Sequence, residues 1–195
     1  MSSTTRILEL ITTEQTQYLV YIVLSLGVAI CTGILSFYNS ALYKPFFGRI
    51  NPVVVVVAVS FLGIILLTIL LARGWFSIYV QNLQGLAVAC GLAALFGLVM
   101  ILFDSKIVFP ADVNRPFPDS LLFYPSIGFV VEILFHVLPL TVLLIVLTTL
   151  FKDLTYEGII WPCILFVALL EPVFQTALGF SRPVSPWATG FVALH

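Results

Sequence analysis

The sequence predicts an all-α, polytopic transmembrane helical bundle, and three observations predict it. Of its 195 residues 61% are hydrophobic and only 9% charged, against roughly 25% charged in a soluble domain. The mean hydropathy is +1.17. The few charges are spaced so as to leave uncharged runs, each long enough for the about 20 apolar residues that a crossing needs. At this length one bundle is the natural domain count, so residues 1–195 read as a single membrane-embedded domain. A net charge of −1 offers nothing to a nucleic acid. The expected partners are the lipid bilayer and either a membrane-protein or peptide substrate or neighbouring membrane subunits.

Five full spans and the start of a sixth follow from the gaps between charges. No charge occurs between Glu14 and Lys44, which places a first span at about 18–37. Arg49 and Arg73 enclose a second at 52–72, opening on Pro52 and the five valines at 53–57. The interval from Arg73 to Asp104 has room for an interfacial stretch at 74–79, with Trp75 and Tyr79 as headgroup anchors, and a third span at 83–103. Residues 104–125 hold Pro110, Pro116, Pro118 and Pro125 among Phe109, Phe117, Phe123 and Tyr124. That mixture breaks a helix yet stays apolar enough for the interface, and reads as a lid or re-entrant loop over a cavity, or as a simple tether. A fourth span at 122–151, a fifth at 158–180 and a partial helix at 187–195 complete the series.

The first apolar run has no basic stretch ahead of it and is longer than a signal-peptide core, so it reads as a retained helix. Arg6, Arg73 and Lys152 on one side, against Lys44, Arg49, Lys106, Arg115 and Arg182 on the other, favour an outside N-terminus. Cys31, Cys90 and Cys163 lie in apolar runs without CxxC or CxxH spacing, as packing residues do. Ala89, Ala93 and Gly97 recur every four residues on the third span, a small-residue face that lets another helix approach closely.

Ionisable groups at membrane depth cost about 2.5 to 3.5 kcal/mol each on insertion scales, so Glu132, His136, Glu171 and His195 are the candidate site residues. On a regular helix Glu132, Phe135, His136 and Pro139 fall on one face, and Pro139 frees the carbonyl of Phe135. The fifth span repeats the device, with Glu171 before Pro172 and Gln175 one turn beyond. A carboxylate in low dielectric beside an imidazole can hold or release a proton near neutral pH, the property a general base on water needs. The same pair can also serve as polar glue between helices.

These residues resemble a family. Val131-Glu132-Ile133-Leu134-Phe135-His136 is similar to the EExxxR motif, often with Phe before the Arg, of the CAAX-protease and bacteriocin-processing (CPBP, or Abi) membrane proteins. Phe191-Val192-Ala193-Leu194-His195 matches their FxxxH motif. Leu170-Glu171-Pro172-Val173-Phe174-Gln175 is a second, competing match to the first motif, at a more compact distance from FxxxH. The resemblance covers roughly the last third of the chain and implies a glutamate-dependent intramembrane endopeptidase. In it Glu132 or Glu171 is the general base, His195 orients the water, His136 stands behind them, and the substrates are prenylated CAAX proteins or peptide precursors.

The chain departs from the pattern at defined places. Val131 or Leu170 stands where the family has its first Glu, His136 or Gln175 where it has Arg, and the third motif would lie beyond His195. Two readings follow: a C-terminally shortened piece of a longer protein, or a relative recruited as a non-catalytic transmembrane subunit of a larger complex. Three further chemistries fit the same residues. His136 and His195 on different helices could hold a haem or chlorophyll-type pigment. Glu132, His136 and Glu171 could form a proton or ion path, and all four site residues suit zinc or iron, though their spacing matches no standard metal motif.

Overall fold

The computed structural model of the chain describes residues 10–80, 82–104, 115 and 118–178. Among these residues it is all helix and turn, with no strand. After a helical stretch at 10–13, seven helices follow in order: α1 (Gln15–Asn39), α2 (Lys44–Phe47), α3 (Pro52–Ala72), α4 (Leu83–Asp104), α5 (Asp119–Val131), α6 (Leu138–Leu150) and α7 (Tyr156–Leu178). A 3-10 turn at Ser40–Tyr43 joins α1 to α2, and a π-helical segment at Glu132–Val137 joins α5 to α6 without a break.

Three stretches are long and apolar enough to cross a membrane: Gln15–Phe47, Pro52–Ala72 and Asp119–Leu150. Leu19, Val23, Ile30, Phe37, Phe61 and Ile65 face outward on the first two of these, as lipid-facing side chains do. The chain is therefore an integral membrane protein. In α4 and α7 the described apolar stretches are Leu83–Val99 and Tyr156–Leu170, shorter than a full crossing. The partial helix expected at 187–195 lies outside the described residues.

Local chemistry sets the helix ends. Asn51 caps α3 by accepting from the Val53 amide at 2.9 Å, with Pro52 in the first turn, where its missing N–H costs nothing. The other end of α3 closes through Gly74 at φ +65, with Trp75 N–H donating to the Leu70 carbonyl and Gly74 N–H to the Leu71 carbonyl. This left-handed stop requires glycine. Asn82 caps α4 through the Gly85 amide, and Thr155 caps α7 through the Gly158 amide. Thr141, Thr148 and Thr149 turn their hydroxyls back onto carbonyls four residues earlier, which keeps them satisfied in an apolar setting.

Helix α1 packs against α3 and α5, the π segment touches α3 and α7, and α6 packs against α7. The largest cluster joins Tyr21 of α1, Val56, Val59, Leu66 and Leu67 of α3, Val130 of α5 and Ile133. Leu70, Leu144, Ile159 and Cys163 form a second and Leu35, Tyr43 and Phe123 a third, with the Tyr43 and Phe47 rings stacked at 5.8 Å. Polar groups cross the same interfaces. Tyr18 donates to Thr68, Tyr21 to the Ser60 carbonyl, and Thr32 lies 2.8 Å from Ser126 with both side chains fully buried.

Two expectations change here. Pro125, counted both in the helix-breaking stretch 104–125 and within the span at 122–151, lies inside α5, because the helix starts at Asp119 and is held by Phe123 against Tyr43 and by Ser126 against Thr32. Packing of this kind offsets one missing backbone bond. Among the described residues, the small-residue face of α4 brings no helix close: Ala89, Ala93 and Gly97 are exposed, as are the other described side chains of α4. Small residues permit close approach but supply little contact area of their own.

Candidate active site at a wide helical turn

The element that positions Glu132 and His136 is the π segment. The Glu132 amide still reaches back to Gly128 and Phe129, but the Leu138 amide donates to Ile133, five residues back. Pro139 then offers no amide to the next carbonyl in that register, Leu134. This corrects the sequence expectation that Phe135 loses its partner in a regular helix. One inserted residue lets the helical stretch continue past the proline, and such wide turns recur where helices carry functional groups.

The widened turn also divides the face expected to hold four residues together. Glu132 and His136 do meet, with His136 Nδ1 3.2 Å from Glu132 Oε2. Phe135 turns instead to α7, its ring 4.8 Å from that of Phe174. The His136 side chain is 28% exposed and that of Glu132 64%, so the imidazole is sheltered and the carboxylate faces open space.

Glu132 is also among the residues lining a cavity of about 300 Å³, with Tyr21, Gly63, Leu67, Leu70, Phe76, Ser77, Ile78, Ile133, Val137 and Leu140. Its walls come from α1, α3, the π segment and α6, and its roof is the segment between α3 and α4. Glu132 lies roughly 20 Å along the helix axis from Asp119 and roughly 27 Å from Leu150, toward the middle of this helical stretch. Gly63 is needed on the opposite wall, since a Cβ there would sit 1.9 Å from the Tyr21 hydroxyl. The phenol, bonded to the Ser60 carbonyl at 3.0 Å, occupies the room a larger residue would take.

The sequence-predicted residues separate as follows. Glu132 and His136 are brought together. Glu171 belongs to α7 three residues before Phe174, whose ring meets Phe135; the side chains of Glu171 and Gln175 lie outside the described residues. His195 also lies outside them. Among the described residues no three metal-ligating side chains gather. Two of the four residues considered for zinc or iron are beyond that statement.

Sequence reasoning missed Tyr21, Gly63 and the cavity roof. A glycine midway along the uncharged run 52–72 was the available signal. So was Gln17, an amide just inside the first span, whose carboxamide takes the Tyr79 amide at 2.8 Å and donates to the Tyr79 carbonyl at 2.6 Å. Most of the loop expected at 104–125 lies outside the described residues, and among those described the roof is formed by 74–80, the stretch whose Trp75 and Tyr79 the sequence marks as interfacial anchors.

Chemically the arrangement offers one carboxylate oriented by an imidazole at the edge of an apolar cavity. Such a pair can take a proton from a water molecule, hold it, and return it. Compared with protein-family models, with curated proteins and with solved structures, the chain matches none.

Proposed function

We propose that this chain carries a CPBP-like, glutamate-dependent intramembrane endopeptidase activity toward membrane-associated protein substrates, in a bundle that crosses the bilayer five times. The observation that supports it best is the Glu132–His136 contact midway along an apolar helical stretch, with Glu132 lining a cavity. In this reading the Glu132 carboxylate removes a proton from water as the water oxygen bonds to the scissile carbonyl carbon. The tetrahedral intermediate then collapses: the carbon–nitrogen bond breaks and the proton held by Glu132 passes to the departing amine. His136 keeps one carboxylate oxygen oriented and leaves the other for water. Glu171 is the competing base and His195 the competing water-orienting group.

Reconstituted full-length protein, a membrane-anchored peptide reporter, and the variants Glu132→Gln and Glu171→Gln test the proposal. One variant abolishes cleavage and the other leaves it intact; equal activity in both overturns the glutamate mechanism.

A second reading, a non-catalytic transmembrane subunit of a larger complex, is favoured by α4, an apolar helix exposed along its described length. Gentle extraction from the native membrane decides between them. A lone, colourless particle favours the peptidase. A large or pigmented assembly favours the subunit, with His136 and His195 as candidate pigment ligands.

A further inference from the structure

The cavity has a roof that is tied down at several points by side chains from two other helices. The segment 74–80 leaves α3 at Gly74, whose φ of +65 makes it a natural hinge. It then places Phe76, Ser77 and Ile78 over the cavity. It ends in a tight turn closed by the Asn82 amide on the Val80 carbonyl at 2.7 Å. Gln17 of α1 holds its far end through both polar atoms of the Tyr79 peptide. Tyr156 at the start of α7 donates to the Trp75 carbonyl at 3.2 Å, and the Arg73 guanidinium lies 5.3 Å from the Trp75 ring.

These bonds gather the start of α1, the end of α3 and the start of α7 at one end of the bundle. The cavity runs inward from that end toward Glu132. Gln17 is buried, and nothing in its own helix needs its carboxamide. Its two bonds imitate one rung of a β ladder, a geometry that a straight backbone segment satisfies and a displaced one loses in full.

We infer that segment 74–80 is a hinged lid on this cavity, and that the Gln17 carboxamide is its latch, controlling entry of polar molecules from the bundle end into the cavity. The lid goes beyond the peptidase reading. It concerns access alone, and its readout does not depend on any cleavage.

The test follows the reactivity of a cysteine beneath the lid. Leu140→Cys, which lines the cavity, is introduced into the full chain with Cys31→Ser and Cys90→Ser, and Cys163 is kept as a buried internal control. The protein is held in lipid nanodiscs, where both faces meet a positively charged, membrane-impermeant methanethiosulfonate. With Gln17 intact the cavity cysteine reacts slowly. Gln17→Leu, which removes both bonds, raises the rate about tenfold. Gln17→Glu can still accept from the Tyr79 amide but cannot donate to the carbonyl, and gives an intermediate rate. Tyr156→Phe gives a smaller rise.

Cys163 stays unreactive in all of them. Equal rates at the cavity cysteine in the three variants and the parent overturn the lid. So does labelling of Cys163 in step with the cavity cysteine, which would make Gln17 a support of the whole bundle.

Discussion

Thr32 with Ser126, and Glu132 with His136 less than two turns further along the same helical stretch, are both polar pairs inside an apolar bundle. The first pair is sealed. Both side chains have no exposure, the hydroxyls lie 2.8 Å apart, and Ser126 also donates to the Leu122 carbonyl at 2.7 Å. Both hydroxyl protons are committed within the bundle and full burial keeps ligands from the oxygens, and the pair ties α1 to α5. The second pair lies on one helical stretch and leaves the Glu132 side chain 64% exposed beside a cavity. Polarity at membrane depth is therefore not by itself a sign of function. Spare hydrogen-bonding capacity facing a cavity is the better mark, because a group already satisfied by its own helices has nothing to offer a substrate.

Four expected outcomes sharpen or break this comparison, from the largest effect downward. If the second pair is chemical, Glu132→Gln lowers cleavage of a membrane-anchored reporter by about 10² to 10⁴-fold, the usual contribution of a general base. A loss of less than about threefold would remove Glu132 from the mechanism. If the first pair is structural, Thr32→Val lowers stability to unfolding in micelles by about 1 to 2 kcal/mol, since Ser126 loses a buried partner. The double variant Thr32→Val, Ser126→Ala then costs less than the sum of the singles, with a coupling of about 0.6 to 1.7 kcal/mol. Strict additivity would show that the two hydroxyls do not interact.

The cavity wall gives the third. Gly63→Ala forces the Tyr21 ring aside and costs about 1 kcal/mol through its lost bond to Ser60. In a Tyr21→Leu background the same change is nearly neutral, and a full cost there would move the clash to Ile133, whose Cδ1 lies 3.0 Å from the added Cβ. The smallest effect is the most diagnostic. His136→Gln changes stability by about 0.5 kcal/mol or less, as expected for a partly exposed pair one turn apart. A cost several times larger would place this pair in the same structural class as Thr32 and Ser126.

Particular residues show how much of the protein was legible in advance. Pro52, and the charges Arg49 and Arg73 that enclose the uncharged run, marked α3 to the residue, because helix initiation and hydrophobic length are local properties. The meeting of Glu132 and His136 was legible from their spacing of four, which brings side chains together in an α and in a π turn alike. The divergence of Phe135 was not, since only its contact with Phe174 on α7 draws the ring to that side. Pro125 misled for a similar reason: proline reads as a break until a neighbouring helix is seen to hold it in place.

What the sequence by itself determined is the class of the protein and the residues carrying its ionisable chemistry. Hydrophobic length and the cost of a charge in hydrocarbon act on each segment separately. Only the tertiary structure decided which polar groups are sealed and which face a cavity, that a wide turn accommodates Pro139, and that Gln17 holds a roof 62 positions away along the chain. Those features depend on which helices touch, and a contact between distant segments is a property of the packed bundle, absent from each segment read alone.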